Sequence, residues 1–278
     1  MPEDTLNSTM IVGSKIRPSP TLRVDNIRVA YGNTPIIDAL SLDIKSGALT
    51  AIIGPNGCGK STLLKAMARV LPVQSGHVLL NATPVHDMPT REVAKTMALL
   101  PQGPVAPEGL RGKELVAQGR FPHRSLIRQW SRDDAEAVAR AMAATDIEAF
   151  ADRPIDALSG GQRQRVWIAM VLAQNTPILL LDEPTTFLDL KVQVDLMTLL
   201  RRVAHEDGRT LVVVMHELNV ASAFADQLVM MRDGAVIAQG AVNDVFTQAN
   251  LLSVFDLSAR VMLDPKSGRP VCIPQVSP

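Results

Sequence analysis

The segment Gly54-Pro55-Asn56-Gly57-Cys58-Gly59-Lys60-Ser61 constrains this chain more than any other. It fits G-x-x-x-x-G-K-[ST] and lies between a short apolar run, Ala48 to Ile53, and a helix-like run from Ser61 to Val70. Its glycines let backbone N–H groups converge on an anion, and the following helix adds its positive end. Lys60 brings a charge to the β- and γ-phosphates of a nucleotide, Ser61 a hydroxyl to Mg²⁺, and Thr62 one more donor. A glycine-rich turn that merely caps a helix is the alternative, and the strand before and helix after weigh against it.

Further buried-strand runs at Ile178 to Leu181 and Leu211 to Met215 point to a parallel α/β sheet. The first ends in Asp182-Glu183, two carboxylates delivered to the carboxyl edge of the sheet, where a phosphate loop also lies. Asp182 is expected to hold Mg²⁺ through water, and Glu183 to orient and deprotonate the water attacking a γ-phosphate. Alone this motif is weak, because strands often end in solvated acids.

Around that core the pattern changes twice. Leu22, Val24, Leu40, Leu42 and Ile44 alternate with polar neighbours about Gly32, Asn33 and Pro35, which predicts an antiparallel β layer. Between Gly103 and Leu158 strand runs vanish. There Ser131, with Asp134 at the capping-box position, begins a helix carrying Ala135, Val138, Ala139 and Met142. Asp233-Gly234 between two apolar runs predicts a hairpin, and a helix is expected near Asn243 to Phe255. The expected organisation is a disordered tail over residues 1–20, one nucleotide-binding domain over 21–257 with a helical insertion at about 103–170, and a short extension over 258–278.

Lys+Arg and Asp+Glu balance at 28 each, so no basic excess exists for nucleic acid. Cys58 and Cys272 have no metal-ligand spacing, as in a reducing compartment. Glu3 and Asp4 precede any basic residue and no signal-peptide core forms. No apolar run approaches the ~18 residues of a membrane span, so any membrane link is expected through a partner. Cys58 lies among helix-end amides beside Lys60, which would favour its thiolate, although a space-filling loop residue is the plainer reading.

Leu158-Ser159-Gly160-Gly161-Gln162 precedes a helix running through Val166 to Ala173, and here the chain resembles the ABC (ATP-binding cassette) family through its signature pentapeptide. A lone S-G-G would be an ordinary serine N-cap. The other family elements follow in order: Tyr31 for adenine stacking, Gln102 in the Q-loop, Asp189 in the D-loop and His216 as the switch histidine. Each has a bland alternative; their order does not. Glu217 departs from the Asp often found after that histidine but keeps the carboxylate.

The resemblance spans roughly Leu22 to Asp256. It implies a P-loop (RecA-like) α/β core with an antiparallel β subdomain and an inserted α-helical signature subdomain. ATP and Mg²⁺ would be bound by residues 54–62 with Tyr31. Glu183, His216 and Gln102 would be catalytic, and Ser61, Gln102 and Asp182 would serve Mg²⁺. Ser159, Gly160, Gly161 and Gln162 would complete the site of a second copy, with Asp189 coupling the two. One phosphate loop and one signature require a second cassette, most simply an identical chain. The implied setting is the cytoplasmic face of a bacterial membrane, with integral-membrane permease subunits, a substrate-binding protein reached indirectly, and no nucleic acid. Arg120, Phe121 and His123 on the insert are candidate permease contacts, with Phe121 as subdomain core the alternative.

Gly119 to His123, Trp167 to Gln174 and Thr185 to Leu190 are most similar to the ATPases of bacterial iron–siderophore importers. Haem, cobalamin and zinc importers use related cassettes. A soluble ABC ATPase acting on DNA, ribosomes or iron–sulfur assembly is the rival class; the first two lack support here, having long inserts or paired cassettes. A non-catalytic nucleotide scaffold is disfavoured by the intact Lys60, Glu183 and His216.

Overall fold

In the computed structural model, which describes residues 19–124 and 130–275, β1 (Leu22–Tyr31) and β2 (Thr34–Ile44) form an antiparallel pair. Their alternation buries Leu22, Val24, Ile27, Leu40 and Leu42 on one face. β3 (Leu49–Ile53) is buried throughout and feeds the phosphate loop, from which α1 (Lys60–Met67) emerges. β4 (Ser75–Leu80) and β5 (Thr83–Pro84) return to the first layer, giving the order β2-β1-β4-β5. α2 (Thr90–Thr96) leads into β6 (Met97–Leu100).

The insertion follows as α3 (Gly112–Gln118), α4 (Arg132–Ala144) and α5 (Gly160–Ala173). Ser131 caps α4 as expected, accepting from the Asp134 amide, and Asp134 answers at the Ser131 amide. α3 lies close on α5 because residue 119 is glycine: a Cβ there would sit 2.1 Å from the Met170 carbonyl oxygen. α5 runs to Ala173 and leads into the next core strand.

β7 (Ile178–Asp182), α6 (Leu190–His205), β8 (Thr210–Val214), α7 (Leu218–Phe224), β9 (Gln227–Arg232) and β10 (Ala235–Ala241) complete the core. The six strands run β10-β9-β3-β8-β7-β6, parallel except for β10, which turns back through Asp233-Gly234 with both residues at positive φ. Neighbouring residues of each central strand serve opposite faces. Leu179 and Leu181 pack with the insertion and α6, whereas Ile178 and Leu180 pack with α1 and the antiparallel sheet. Each such side chain contributes roughly 1.5–3 kcal/mol by leaving water.

The structure adds detail toward both ends of the chain. The helix near 243–255 is two, α8 (Val242–Val245) and α9 (Gln248–Phe255), because Phe246 is buried and Thr247 caps the second by accepting from Asn250. The segment after 257 is a hairpin of β11 (Ala259–Leu263) and β12 (Pro270–Pro274), packed on the core through Ala259 and Cys272. Residues 1–18 of the expected tail lie outside the described residues. Ser19 does not behave as tail: its hydroxyl donates to the Pro177 carbonyl at 2.9 Å and accepts from Thr210 at 2.7 Å.

Candidate active site

The parallel order puts the carboxyl ends of β3, β8, β7 and β6 side by side, and the segments leaving those ends form the site. From β3 comes the phosphate loop. Gly54 leaves it with no room for a side chain, since a Cβ would meet the Met231 carbonyl oxygen at 2.2 Å. Gly59 caps α1 in the left-handed region, at φ 101°. The Lys60 ammonium is buried and donates to the carbonyls of Gly54 at 2.9 Å and Pro55 at 2.8 Å, so its charge is held inside the loop. Cys58 corrects an expectation. Burial pushes its thiol pKa up despite the nearby Lys60, so desolvation outweighs the positive surroundings that favoured a thiolate.

From β7 come the carboxylates. Ser61 Oγ donates to Asp182 Oδ1 at 2.9 Å, linking the loop to the strand end. Asp182 is buried, and that desolvation raises its pKa, with neighbouring Glu183 acting in the same direction. Glu183 adopts φ 53°, and its amide donates to the Val214 carbonyl at 3.1 Å, which turns its side chain off the strand line. Its side chain is 8% exposed, and its carboxylate lies 2.5 Å from His216 Nε2. Gln102 Nε2 donates to the other oxygen at 2.7 Å, and Thr186 Oγ1 donates there at 3.2 Å. Segments after β6, β7 and β8 thus meet on one carboxylate.

These groups border an open cleft of about 660 Å³ that also receives Asn56, Gly57, Gly59, Lys60, Ser61 and Thr62. Ile36, Thr186 and Phe187 line it too, and sequence reasoning assigned them no role. Thr186 was legible only as a hydroxyl three residues after the acid. Phe187, fully exposed at φ 62°, carries no pattern that distinguishes it from a core aromatic.

Other candidates stand apart from the cleft lining. Tyr31 is half-exposed at the end of β1, opposite Thr34. Ser159 caps α5, accepting from the Gln162 amide at 3.3 Å while Gln162 Oε1 accepts from the Ser159 amide at 3.1 Å. Gly160 opens to free space. Asp189 caps α6 through the Val192 amide at 3.0 Å, and Gly161 lies against Val192 and Leu188, so the two helix starts abut. Glu217 faces Gln193 and Thr185, each with a contact of 3.4 Å, which joins the segment after β8 to the one after β7.

The insert surface also corrects an expectation. Arg120 is buried, paired with Asp134 at 2.9 Å and donating to the Ala173 carbonyl at 2.7 Å, and His123 Nε2 meets the Gln174 carbonyl at 2.7 Å. Both cap the carboxyl end of α5, Arg120 from a buried position and His123 from a partly exposed one. Phe121 between them is 77% exposed, so it is not subdomain core.

A strand, a glycine loop, a buried lysine and a strand-end pair of carboxylates beside one cleft define a P-loop nucleoside triphosphatase. The profile of the ABC transporter family matches residues 37–186. The chain is 46% identical over 253 residues to the iron(3+)-hydroxamate import ATP-binding protein FhuC of Bacillus subtilis, covering 91% of this chain and 94% of the relative. It is 44% identical to the ferric enterobactin transport ATP-binding protein FepC of Escherichia coli, covering 91% and 93%. Among solved structures it resembles the dimeric bacterial ABC transporter cassette MJ0796, with a TM-score of 0.70 and 31% identity over 79% of this chain and 98% of that one. The chain belongs to the ABC transporter family, as an ATP-hydrolysing cassette.

Proposed function

We propose that this chain powers uptake of iron–siderophore complexes, hydrolysing ATP at a site shared between two copies. The observation that carries the hydrolytic part is the convergence of Gln102, Thr186 and His216 on the Glu183 carboxylate beside the phosphate loop. ATP phosphates lie along the loop amides, Lys60, Ser61 and Thr62, with Tyr31 on adenine. Glu183 accepts the proton of the attacking water. His216, carrying its proton on Nε2, and Gln102 hold that carboxylate in place.

The Ser61 hydroxyl and Asp182 carboxylate, 2.9 Å apart, are hard oxygen donors suited to Mg²⁺, with Gln102 near them. When bound, Mg²⁺ neutralises phosphate charge.

Ser159 to Gln162 lie outside the cleft lining of their own chain, which supports their use by a second copy. The relatives named as import and transport ATP-binding proteins support a peripheral place on the cytoplasmic face, docked on permease subunits that a substrate-binding protein supplies; no described helix is long and apolar enough to cross a membrane. Phe121 is the proposed contact. The cargo rests on the relatives that import ferric hydroxamates and enterobactin. Deleting the gene and measuring uptake of labelled ferric siderophores, haem and cobalamin tests it. Ferric-siderophore uptake should be lost, and restored by the intact gene but not by Lys60→Ala; unchanged iron uptake with lost haem or cobalamin uptake would overturn the cargo and leave the ATPase standing.

A further inference from the structure

We infer that the β11–β12 hairpin positions His216 for hydrolysis, acting through Asn219; this rests on reading His216 and Glu183 as the hydrolytic pair. His216 is separated from α7 by Glu217 alone. A helix of seven residues, Leu218 to Phe224, is too short to hold itself. Its N-cap residue, Glu217, provides no side-chain capping bond. What fixes α7 must come from outside, and the hairpin supplies a bond at each turn.

At the first turn the Asn219 amide makes a reciprocal pair with one residue of β12. Its Nδ2 donates to the Cys272 carbonyl at 3.2 Å and its Oδ1 accepts from the Cys272 amide at 2.8 Å. In the middle, Ser222 Oγ donates to the Pro270 carbonyl at 2.5 Å. At the far end, Arg269 Nη1 donates to the carbonyl of Ala225, the C-cap residue, at 2.7 Å. The hairpin is itself anchored, because Ala259 and Cys272 share the core with Val220 and Ala221 of α7. The helix is therefore held between core and hairpin along its whole length. A shift of about 1 Å at its start would open the 2.5 Å contact between His216 and Glu183, and misplacements of that size are costly in oriented reactions.

Asn219 is an exposed residue, so shortening it leaves no core cavity. The test compares wild type, Asn219→Ala, Asn219→Asp and Arg269→Ala. Each is measured for ATP turnover per nucleotide site, the sites being counted by titration with a fluorescent ATP analogue, alongside KM and Tm. A positioning role predicts unchanged site number and KM, with turnover per site about tenfold lower in Asn219→Ala. Asn219→Asp, which still accepts from the Cys272 amide but sets a second acceptor against the Cys272 carbonyl, should also fall below wild type. Arg269→Ala, which frees the far end of α7, should also fall below wild type. Turnover per site equal to wild type in Asn219→Ala, or activity lost only in proportion to lost sites, would overturn the inference. A wild-type chain that binds the analogue but hydrolyses no ATP would instead overturn the reading of the cleft, and this inference with it.

Discussion

Gln102 donates to Glu183 across 2.7 Å, so the loop that enters the helical insertion touches the carboxylate proposed as the base. Changing Glu183→Gln keeps size and hydrogen bonding but removes the proton acceptor. Nucleotide binding should persist while steady-state hydrolysis falls by about 10²-fold or more. Equilibrium binding and phosphate release on the purified variant measure both. Near wild-type turnover would mean that another group activates the water.

Neighbouring residues of the insertion should respond oppositely to truncation. Arg120→Ala leaves Asp134 buried without its ion pair and frees the Ala173 carbonyl, at a cost of about 3–5 kcal/mol. Phe121→Ala removes an exposed ring and should change stability by less than about 0.5 kcal/mol. Denaturant titration tests the pair. Phe121→Ala should keep basal ATPase activity yet lose stimulation by reconstituted permease; unaltered stimulation would remove Phe121 from the docking surface.

Cys58 should be a slow thiol. Burial raises its pKa, so the thiolate fraction at neutral pH is below that of a free cysteine and grows with pH. Its alkylation by iodoacetamide, followed by mass spectrometry, should rise about tenfold per pH unit with no plateau up to about pH 8.5, the ordinary thiol range. A plateau near neutrality would show a stabilised thiolate.

The central sheet was legible because its runs are buried on both faces, so Ile178 to Leu181 and Leu211 to Met215 carry a signal that needs no partner. The phosphate loop was legible because glycine, lysine and serine must stand at fixed spacing around an anion. Arg120 was misread because its burial depends on Asp134, fourteen residues away, and on the end of α5. The β11–β12 hairpin was missed because its strands are short and half-exposed, and take their order from α7 instead of from their own alternation. Thr186 and Phe187 join the cleft through the turn after β7, where the positive φ of Glu183 and Phe187 is a tertiary outcome without local signature.

If Lys60 of one copy and Ser159 of another complete a single ATP site, mixing two inactive variants should restore activity that neither has alone. Lys60→Ala loses the phosphate loop charge, and Ser159→Arg blocks the signature; each should be inactive alone. One kind of heterodimer then holds one intact site, so the mixture should regain a clear fraction of wild-type ATPase activity, rising with protein concentration as copies associate. An inactive mixture of chains shown to associate, or a wild-type protein that stays monomeric in ATP with activity independent of concentration, would rule out an ATP site shared between two copies.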